Sequence, residues 1–114
     1  MGSVVSRQNA PHYTWGDRCD GFRLLDGEAL SVVEERMPPG TSEVRHKHLK
    51  AAQFFYVLRG ALTIEIEGEE HAVGAEQGIA VAPGRAHTVV NAASDDAVFL
   101  VLSSPSTRGD RVPA

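Results

Sequence analysis

Hydrophobic residues in this chain occur in short runs separated by glycine, proline and acidic residues. In one run, Leu62, Ile64 and Ile66 alternate with Thr63 and Glu65, and this period of two is typical of a strand with one buried face. No long apolar repeat at helical spacing is present. The pattern predicts eight strands, at residues 22–25, 30–37, 53–58, 62–67, 71–73, 79–82, 87–90 and 98–103.

Turn-forming residues lie between these strands. Glu67-Gly68 is one such pair, and Pro38-Pro39 must end the strand before it because proline has no N–H for a ladder. About eight strands in so short a chain must curl or stack in two sheets, since an open sheet would leave bare edges. We therefore predict an all-β protein.

The length of 114 residues predicts a single domain over 1–114. We expect its barrel core at about 22–103, an N-terminal arm at 1–21 and a C-terminal tail at 104–114 that runs over the surface. The arm is either a loose tail or a strand that pairs with another subunit, for which Val4-Val5 is suited.

Charge and composition narrow the classes of partner. The 11 Lys and Arg residues against 15 Asp and Glu give a net charge of −4, which argues against nucleic acid as a partner. No run approaches the ~20 apolar residues of a membrane span. Cys19 is the one cysteine, so an internal disulfide is excluded. With no signal-peptide pattern at the N-terminus, we expect a cytoplasmic protein that does not bind membranes.

The candidate chemistry centres on His46-Lys47-His48. Two histidines two apart on a strand project from the same face, whereas on a helix they would diverge by about 200°. Gln53 begins the next predicted strand, and His87 opens another after the Pro83-Gly84 turn. Taken singly, each histidine has an ordinary surface or turn explanation. Together they make a set of metal ligands with open positions, as catalytic sites require.

These residues also form two motifs that resemble those of the cupin superfamily. Gly40, five residues, His46-Lys47-His48, four residues, Gln53, six residues and a glycine is similar to the first cupin motif. The spacing from Gly84 to His87 and on to Asn91 is similar to the second. The resemblance spans roughly 29–102. It implies a double-stranded β-helix, or jelly-roll, barrel that binds one divalent transition metal (zinc, nickel, manganese or iron) through His46, His48, Gln53 and His87.

Two features depart from the family pattern. Gln53 stands where the family usually has glutamate, and a neutral amide ligates through its carbonyl oxygen without supplying negative charge. It either binds the metal directly, as in similar three-histidine, one-glutamine cupin enzymes that ketonise unsaturated uronates, or hydrogen-bonds a metal-bound water. In addition, Pro83 lies one place later than the motif's proline, and Gly78 lies two places closer to His87 than the motif's glycine.

Around the metal we expect an apolar pocket. Residues that share the face of Gln53 or of His87, or that belong to the last predicted strand, are the candidates for its wall: Phe55, Val57, Val89 and Phe99. The alternative face of the last strand stays open. Tyr13 and Trp15 are candidates to cap the mouth, although most aromatics of a small all-β protein belong to its core or an interface. Arg36 and Arg45 are candidates to hold a substrate carboxylate, although a solvated surface position is the better explanation for an arginine. No second carboxylate is predicted to face the site, and no catalytic residue is assigned.

The resemblance suggests an enzyme that acts on a small oxygen-rich substrate, sugar-derived or a carboxylate, by metal Lewis-acid chemistry of the isomerase or lyase type. The neutral Gln53 favours such chemistry over redox chemistry. A metal-dependent dioxygenase and a non-catalytic module that binds a small ligand are the alternatives. Small barrels of this class usually pair, so we also expect a homodimer. The sequence does not identify the substrate, the native metal or the pathway.

Overall fold

The structure, a computed structural model, describes residues 2–114. These residues contain eleven strands and no helix. The strands are β1 His12–Trp15, β2 Cys19–Asp26, β3 Ser31–Met37, β4 His46–His48, β5 Ala52–Arg59, β6 Ala61–Ile66, β7 Glu69–Gly74, β8 Gly78–Val81, β9 His87–Val90, β10 Ala97–Ser104 and β11 Arg111–Pro113.

The strands form two antiparallel sheets, one of six strands in the order β1-β2-β3-β10-β5-β8 and one of five in the order β11-β4-β9-β6-β7. Several sheet neighbours, such as β3 and β10 or β4 and β9, are distant in sequence, and the two sheets form the jelly-roll barrel expected from the sequence. The all-β prediction is confirmed, and each of the eight predicted segments contains a strand. Three strands were not among those eight: β1 and β11 near the two ends of the chain, and the short β4, although the spacing of its two histidines was interpreted as that of a strand.

The hydrophobic core lies between the inner faces of the two sheets. Alternation along β6 sends Leu62, Ile64 and Ile66 inward, as the period of two predicts. Phe99 in β10 and Val57 in β5 meet them from the six-stranded sheet, where they are cross-strand partners and fully buried. This packed core fills one part of the barrel interior, and the functional site occupies the other part.

In the part of the barrel interior that the core does not fill, cross-strand pairing brings polar residues side by side. In the six-stranded sheet, Ser103 of β10 pairs with Gln53 of β5 on one side and with Ser31 of β3 on the other. In the facing sheet, His46 of β4 pairs with His87 of β9. Residues that pair directly share one face of a sheet, so the fold itself brings residues from distant parts of the sequence to one cavity.

The C-terminal segment, expected as a surface tail, is integrated into the barrel. Strand β11 pairs with β4, with Arg111 opposite His48 and Pro113 opposite His46. Asp110, which precedes β11, is buried and accepts hydrogen bonds of 2.8 to 2.9 Å from the backbone N–H groups of Leu49, Lys50 and Ala51. These bonds attach the segment to the loop that follows the two histidines of β4.

Among residues 2–114, no helix is both long and apolar enough to cross a membrane. The cytoplasmic location expected from the sequence stays a prediction.

Candidate metal centre

Three buried histidines from two neighbouring strands meet at one point. His46 and His48 project from the same face of β4, and His87 stands opposite His46 on β9. Each ring offers a nitrogen, and the three nitrogens lie within 4.8 Å of one another. The side chains are 4%, 6% and 1% exposed, respectively, so the cluster is shielded from bulk solvent. Such a cluster is of a size that can hold one metal ion.

Backbone carbonyls orient two of the rings. His46 Nδ1 lies 2.8 Å from the carbonyl oxygen of Val44, and His87 Nδ1 lies 3.0 Å from that of Arg85. Because a carbonyl can only accept, each Nδ1 carries the proton and each Nε2 keeps its lone pair. His87 Nε2 is buried and has no hydrogen-bond partner among residues 2–114. A buried lone pair without a partner is costly unless a cation or a donor meets it.

The third histidine has an acidic neighbour. His48 Nδ1 lies 4.0 Å from Asp110 Oδ2, within ion-pair range but too far for a direct hydrogen bond. His48 Nδ1 is itself buried without a hydrogen-bond partner among residues 2–114. Asp110 is held in place by the three backbone N–H groups described above.

Gln53 lines the same cavity as His46 and His48. Its Nε2 donates a 3.1 Å hydrogen bond to Ser103 Oγ, while its Oε1 is buried and without a partner in the described chain. An amide oxygen that accepts no hydrogen bond is available as a neutral oxygen ligand. The unpartnered atoms of His87 and Gln53 therefore fit the metal that the sequence motifs imply.

Burial keeps the histidines uncharged. It lowers the pKa of His46 to about 4, and it also lowers the pKa values of His48 and His87. The neighbouring histidines and the positive charge of Arg111 act in the same direction on His46. Neutral imidazoles are the form that binds metal, so near neutral pH no proton has to leave before a cation enters.

The cluster opens into a cavity of about 270 Å³. His46, His48 and Gln53 line it together with apolar Phe55 and Val101. All four predicted wall residues belong to the hydrophobic core, and of these Phe55 also lines the cavity. The other three do not line it: Val57, Val89 and Phe99. A volume just below the roughly 300–1,000 Å³ of drug-sized pockets suits a small molecule.

Much of the remaining cavity wall is polar or charged. The residues that sequence reasoning did not assign to it include Glu35, Glu43, Arg23 and Arg111. Tyr13, considered as a cap, lines the cavity as well, whereas Trp15 packs against the core. The expected apolar pocket is thus apolar on one side only.

The two glutamates of the wall have elevated pKa values. Burial raises the pKa of Glu35 to about 7 and that of Glu43 to about 8, and the charge on Glu35 adds to the shift at Glu43. Sequence reasoning missed Glu35 because it stands beside Glu34 in β3, and adjacent residues in a strand face opposite sides. Knowing which of the two faces inward required the pairing with β10.

The arginines considered from the sequence are engaged elsewhere. Arg36 forms ion pairs with Asp20 at 2.7 Å and with Asp96 at 3.0 Å, and Arg45 pairs with Glu65 at 2.7 Å. Neither arginine lines the cavity. The guanidinium groups of Arg36 and Arg45 are already paired, so Arg23 and Arg111 are better placed to contact an anionic group in the cavity.

The sequence matches the family model described as "Cupin domain" over residues 33–103, which is more than half of the chain. The chain belongs to the cupin family. The resemblance seen in the two motifs is thereby confirmed. No curated protein matches the sequence significantly.

Solved structures with the same fold support the assignment. KdgF from Halomonas sp. superposes with a TM-score of 0.84 at 21% identity, covering 93% of this cupin and 96% of that chain. A predicted oxalate decarboxylase from Thermotoga maritima gives 0.81 at 21% identity, covering 91% and 100%. A sugar phosphate isomerase of the cupin superfamily from Silicibacter pomeroyi gives 0.80 at 23% identity, covering 91% and 76%. At such identities these likenesses show the fold alone.

Proposed function

We propose that this cupin is an enzyme that binds one divalent transition metal through His46, His48, Gln53 and His87. The observation that carries the proposal is that His87 Nε2 and Gln53 Oε1 are among the buried atoms without hydrogen-bond partners in the described chain, beside the imidazoles of His46 and His48. Three nitrogens and one neutral oxygen suit zinc, nickel, manganese or iron.

The proposed chemistry is isomerase-like or lyase-like and acts on a small oxygen-rich substrate, sugar-derived or a carboxylate. The metal, when bound, supplies Lewis-acid polarisation of a substrate oxygen. The chain supplies the enclosure: Phe55 and Val101 exclude water on one side, and Arg23 and Arg111 offer positive charge to an anionic substrate. The names of two structural neighbours, a sugar phosphate isomerase and a predicted oxalate decarboxylase, agree with this range of chemistry.

The test begins with elemental analysis of untagged protein purified without added metal. About one equivalent of metal is expected, and the loaded protein is then assayed for turnover of small hydroxy ketones, sugar phosphates and hydroxy acids. Absence of metal, with none taken up on titration, would refute the proposal. Oxygen consumption with a substrate would favour the dioxygenase alternative, and tight ligand binding without turnover would favour a binding module.

The partner expected from the sequence, a second copy of the chain, is also proposed. The outer face of the six-stranded sheet carries Phe54 and Leu58, which are 40% and 37% exposed, and Leu102 lies opposite Phe54. An apolar sheet face of this kind is typical of a subunit interface. Val4, 89% exposed and outside any strand, stays a candidate for exchange of the N-terminal arm.

Light scattering at micromolar concentration tests the dimer. The wild type is expected at twice the monomer mass, and Phe54→Glu is expected to shift the mass to that of the monomer. Val44→Glu is the matched control, because Val44 is 74% exposed on a different part of the surface. A monomeric wild type would rule the dimer out.

A further inference from the structure

Tyr13 reaches the cavity by passing over a glycine. Tyr13 in β1 pairs with Gly21 in β2, and Gly21 pairs with Glu35 in β3. A Cβ atom at position 21 would lie 2.5 Å from the Tyr13 hydroxyl oxygen, which is far inside contact distance. Only glycine at this position lets the tyrosine ring lie across β2, so the sequence and the sheet register together place the phenol beside Glu35.

The phenol is hydrogen-bonded to the carboxylate that it reaches. Tyr13 OH donates to Glu35 Oε2 at 3.2 Å, and the guanidinium carbon of Arg23 lies 4.5 Å from the centre of the tyrosine ring. This cation–π contact helps to hold the ring in place. Glu35 is half-buried, lines the cavity with His46 and His48, and takes no part in the three-histidine cluster.

A second carboxyl group faces the same cavity from the segment before β4. Glu43 Oε1 is buried without a hydrogen-bond partner among residues 2–114, although Glu43 lines the cavity. A buried carboxyl oxygen in this situation is stabilised by a proton or by a ligand that donates to it. The cavity thus has a hydrogen-bonded carboxylate on one wall and an unsatisfied carboxyl group on another.

We propose that Glu35 moves a proton between adjacent carbons of an α-hydroxy carbonyl substrate, that Glu43 exchanges protons with the substrate oxygens, and that Tyr13 is the positioning residue for Glu35. This inference rests on the proposed function, because it takes the substrate to lie beside the histidine cluster. It adds the chemical class of that substrate and assigns the proton-transfer residues.

The proposed reaction is balanced within the cavity. The Glu35 carboxylate takes the proton from the hydroxyl-bearing carbon, the C–H electron pair forms a C=C bond, and the carbonyl oxygen takes a proton from Glu43. In the second half, Glu35 returns its proton to the neighbouring carbon, and the first hydroxyl gives its proton back to Glu43 as its oxygen becomes the new carbonyl. Both glutamates end as they began, and no oxidant or reductant is consumed.

The electrostatics of the wall agree with these roles. A proton-transfer group works best with a pKa near the working pH, and those of Glu35 and Glu43 lie at about 7 and about 8. The groups that act on Glu35 are Tyr13 from β1, Arg23 from β2 and Arg111 from β11, and each lowers its pKa against the effect of burial. Burial thus raises the pKa of Glu43 further than that of Glu35, which is the direction that their two roles require.

The first experiment measures deuterium uptake by NMR. Metal-loaded protein is incubated in D₂O with dihydroxyacetone, dihydroxyacetone phosphate and an open-chain ketose, and exchange of the C–H next to the carbonyl is followed. Glu35→Gln is expected to lower the exchange rate by about 10²–10⁴-fold while the metal content stays at the wild-type value. Glu34→Gln is the matched control, since Glu34 is the neighbouring residue on the opposite face of β3.

The possible results distinguish failure of this inference from failure of the proposed function. Exchange that persists in Glu35→Gln would overturn this inference and leave the proposed function standing. No exchange by the wild type on any of the three probes would overturn the inference, and metal-dependent turnover of other compounds would then still support the proposed function. If the glutamine variant does not fold, Glu35→Asp replaces it. This variant keeps the carboxylate but shortens the side chain by one methylene group, and the same loss of exchange is expected.

The positioning role of Tyr13 is tested without turnover. In zinc-loaded protein labelled with ¹³C at the glutamate carboxyls, the Glu35 signal is the one that Glu35→Gln removes. Tyr13→Phe is expected to move its titration midpoint upward, because the lost hydrogen bond favoured the carboxylate, and Gly21→Ala is expected to do the same by displacing the ring. Tyr56→Phe is the control. An unchanged midpoint in both Tyr13→Phe and Gly21→Ala would overturn the positioning role.

Discussion

Ser103 determines how Gln53 presents its amide to the site. The serine hydroxyl accepts a 3.1 Å hydrogen bond from Gln53 Nε2, and this leaves Gln53 Oε1 buried without a partner in the described residues. The two residues are direct cross-strand neighbours on β10 and β5, so the sheet register fixes this contact. By accepting the N–H of the Gln53 amide, the hydroxyl on the neighbouring strand leaves the neutral amide oxygen available as a candidate ligand.

Loss of this contact is expected to weaken metal binding. In Ser103→Ala the amide of Gln53 loses the acceptor that fixes its orientation, and we expect metal affinity to fall by about 10–100-fold, as for other groups that orient ligands. Competition with a chelating dye measures the change. Ser94→Ala, in an exposed loop, is the control, and equal affinities for the two variants would show that Ser103 does not orient the ligand.

Gln53→Glu is expected to keep the metal and bind it more tightly. A carboxylate at this position adds one negative charge to three neutral imidazoles, which lowers the net charge of the loaded site and weakens its Lewis acidity. Calorimetric titration with zinc measures the affinity, and turnover at saturating zinc measures the Lewis acidity. Loss of metal from this variant would contradict direct ligation by residue 53.

His48→Ala is expected to remove most of the metal without unfolding the barrel. The side chain belongs to the cluster at the cavity and is not part of the hydrophobic core, so its loss removes a ligand and leaves the core packing intact. Elemental analysis and thermal melting are the measurements. His71→Ala is the matched control, because His71 lies on β7 outside the cluster, and unchanged metal content in His48→Ala would refute the assignment.

Sequence patterns predict the part of the site that depends on the spacing of residues close together in the chain. His46 and His48 share a face because they stand two apart in a strand, and the motifs predict His87 and Gln53 beside them. The three histidines do cluster, and ligation by Gln53 stays a prediction. Strand register, by contrast, is a long-range property. Whether Glu34 or Glu35 faces the cavity depends on the pairing of β3 with β10, and alternation alone permits both.

The C-terminal residues escaped prediction for a different reason. The segment from 104 to 114 is rich in serine, proline and arginine, which locally favours an irregular surface path. Asp110 reverses this preference by accepting three backbone hydrogen bonds from the loop after β4, and so brings Arg111 to the cavity. Such a contact, between residues about sixty positions apart, leaves no periodic signal in the sequence.

The pH dependence of metal binding follows from the lowered pKa values of the histidines. Metal binds the neutral rings, so protons compete with it only below the pKa of each ring. Since the pKa of His46 lies at about 4, below the usual value near 6.5, we expect zinc to be retained down to about pH 5 and lost on further acidification. A peptide of residues 44–50 is the control, since its solvated histidines should release zinc below about pH 6.5. A release midpoint near 6.5 for the folded protein would contradict this prediction.

Glu43 is expected to make the metal-free protein less stable as the pH rises. In the unfolded chain the carboxyl ionises near pH 4.5, whereas in the folded protein it keeps its proton until about pH 8. Over this window the folded state binds more protons than the unfolded state, so the free energy of unfolding falls with increasing pH. Glutamine does not titrate, and we therefore expect Glu43→Gln to gain roughly 1–3 kcal/mol relative to wild type between pH 5 and pH 8, after allowance for partial exposure.

Urea denaturation of chelator-treated protein at several pH values measures this gain, because bound metal would add its own stabilisation. Glu70→Gln, at an exposed position near the start of β7, is the control and should follow the wild-type curve at each pH. Glu35 is present in all three proteins, so its own titration largely cancels in the comparison. Parallel curves for wild type and Glu43→Gln would show that residue 43 ionises as readily in the folded protein as in the unfolded chain, and Glu43 would then be charged, rather than protonated, beside the substrate cavity.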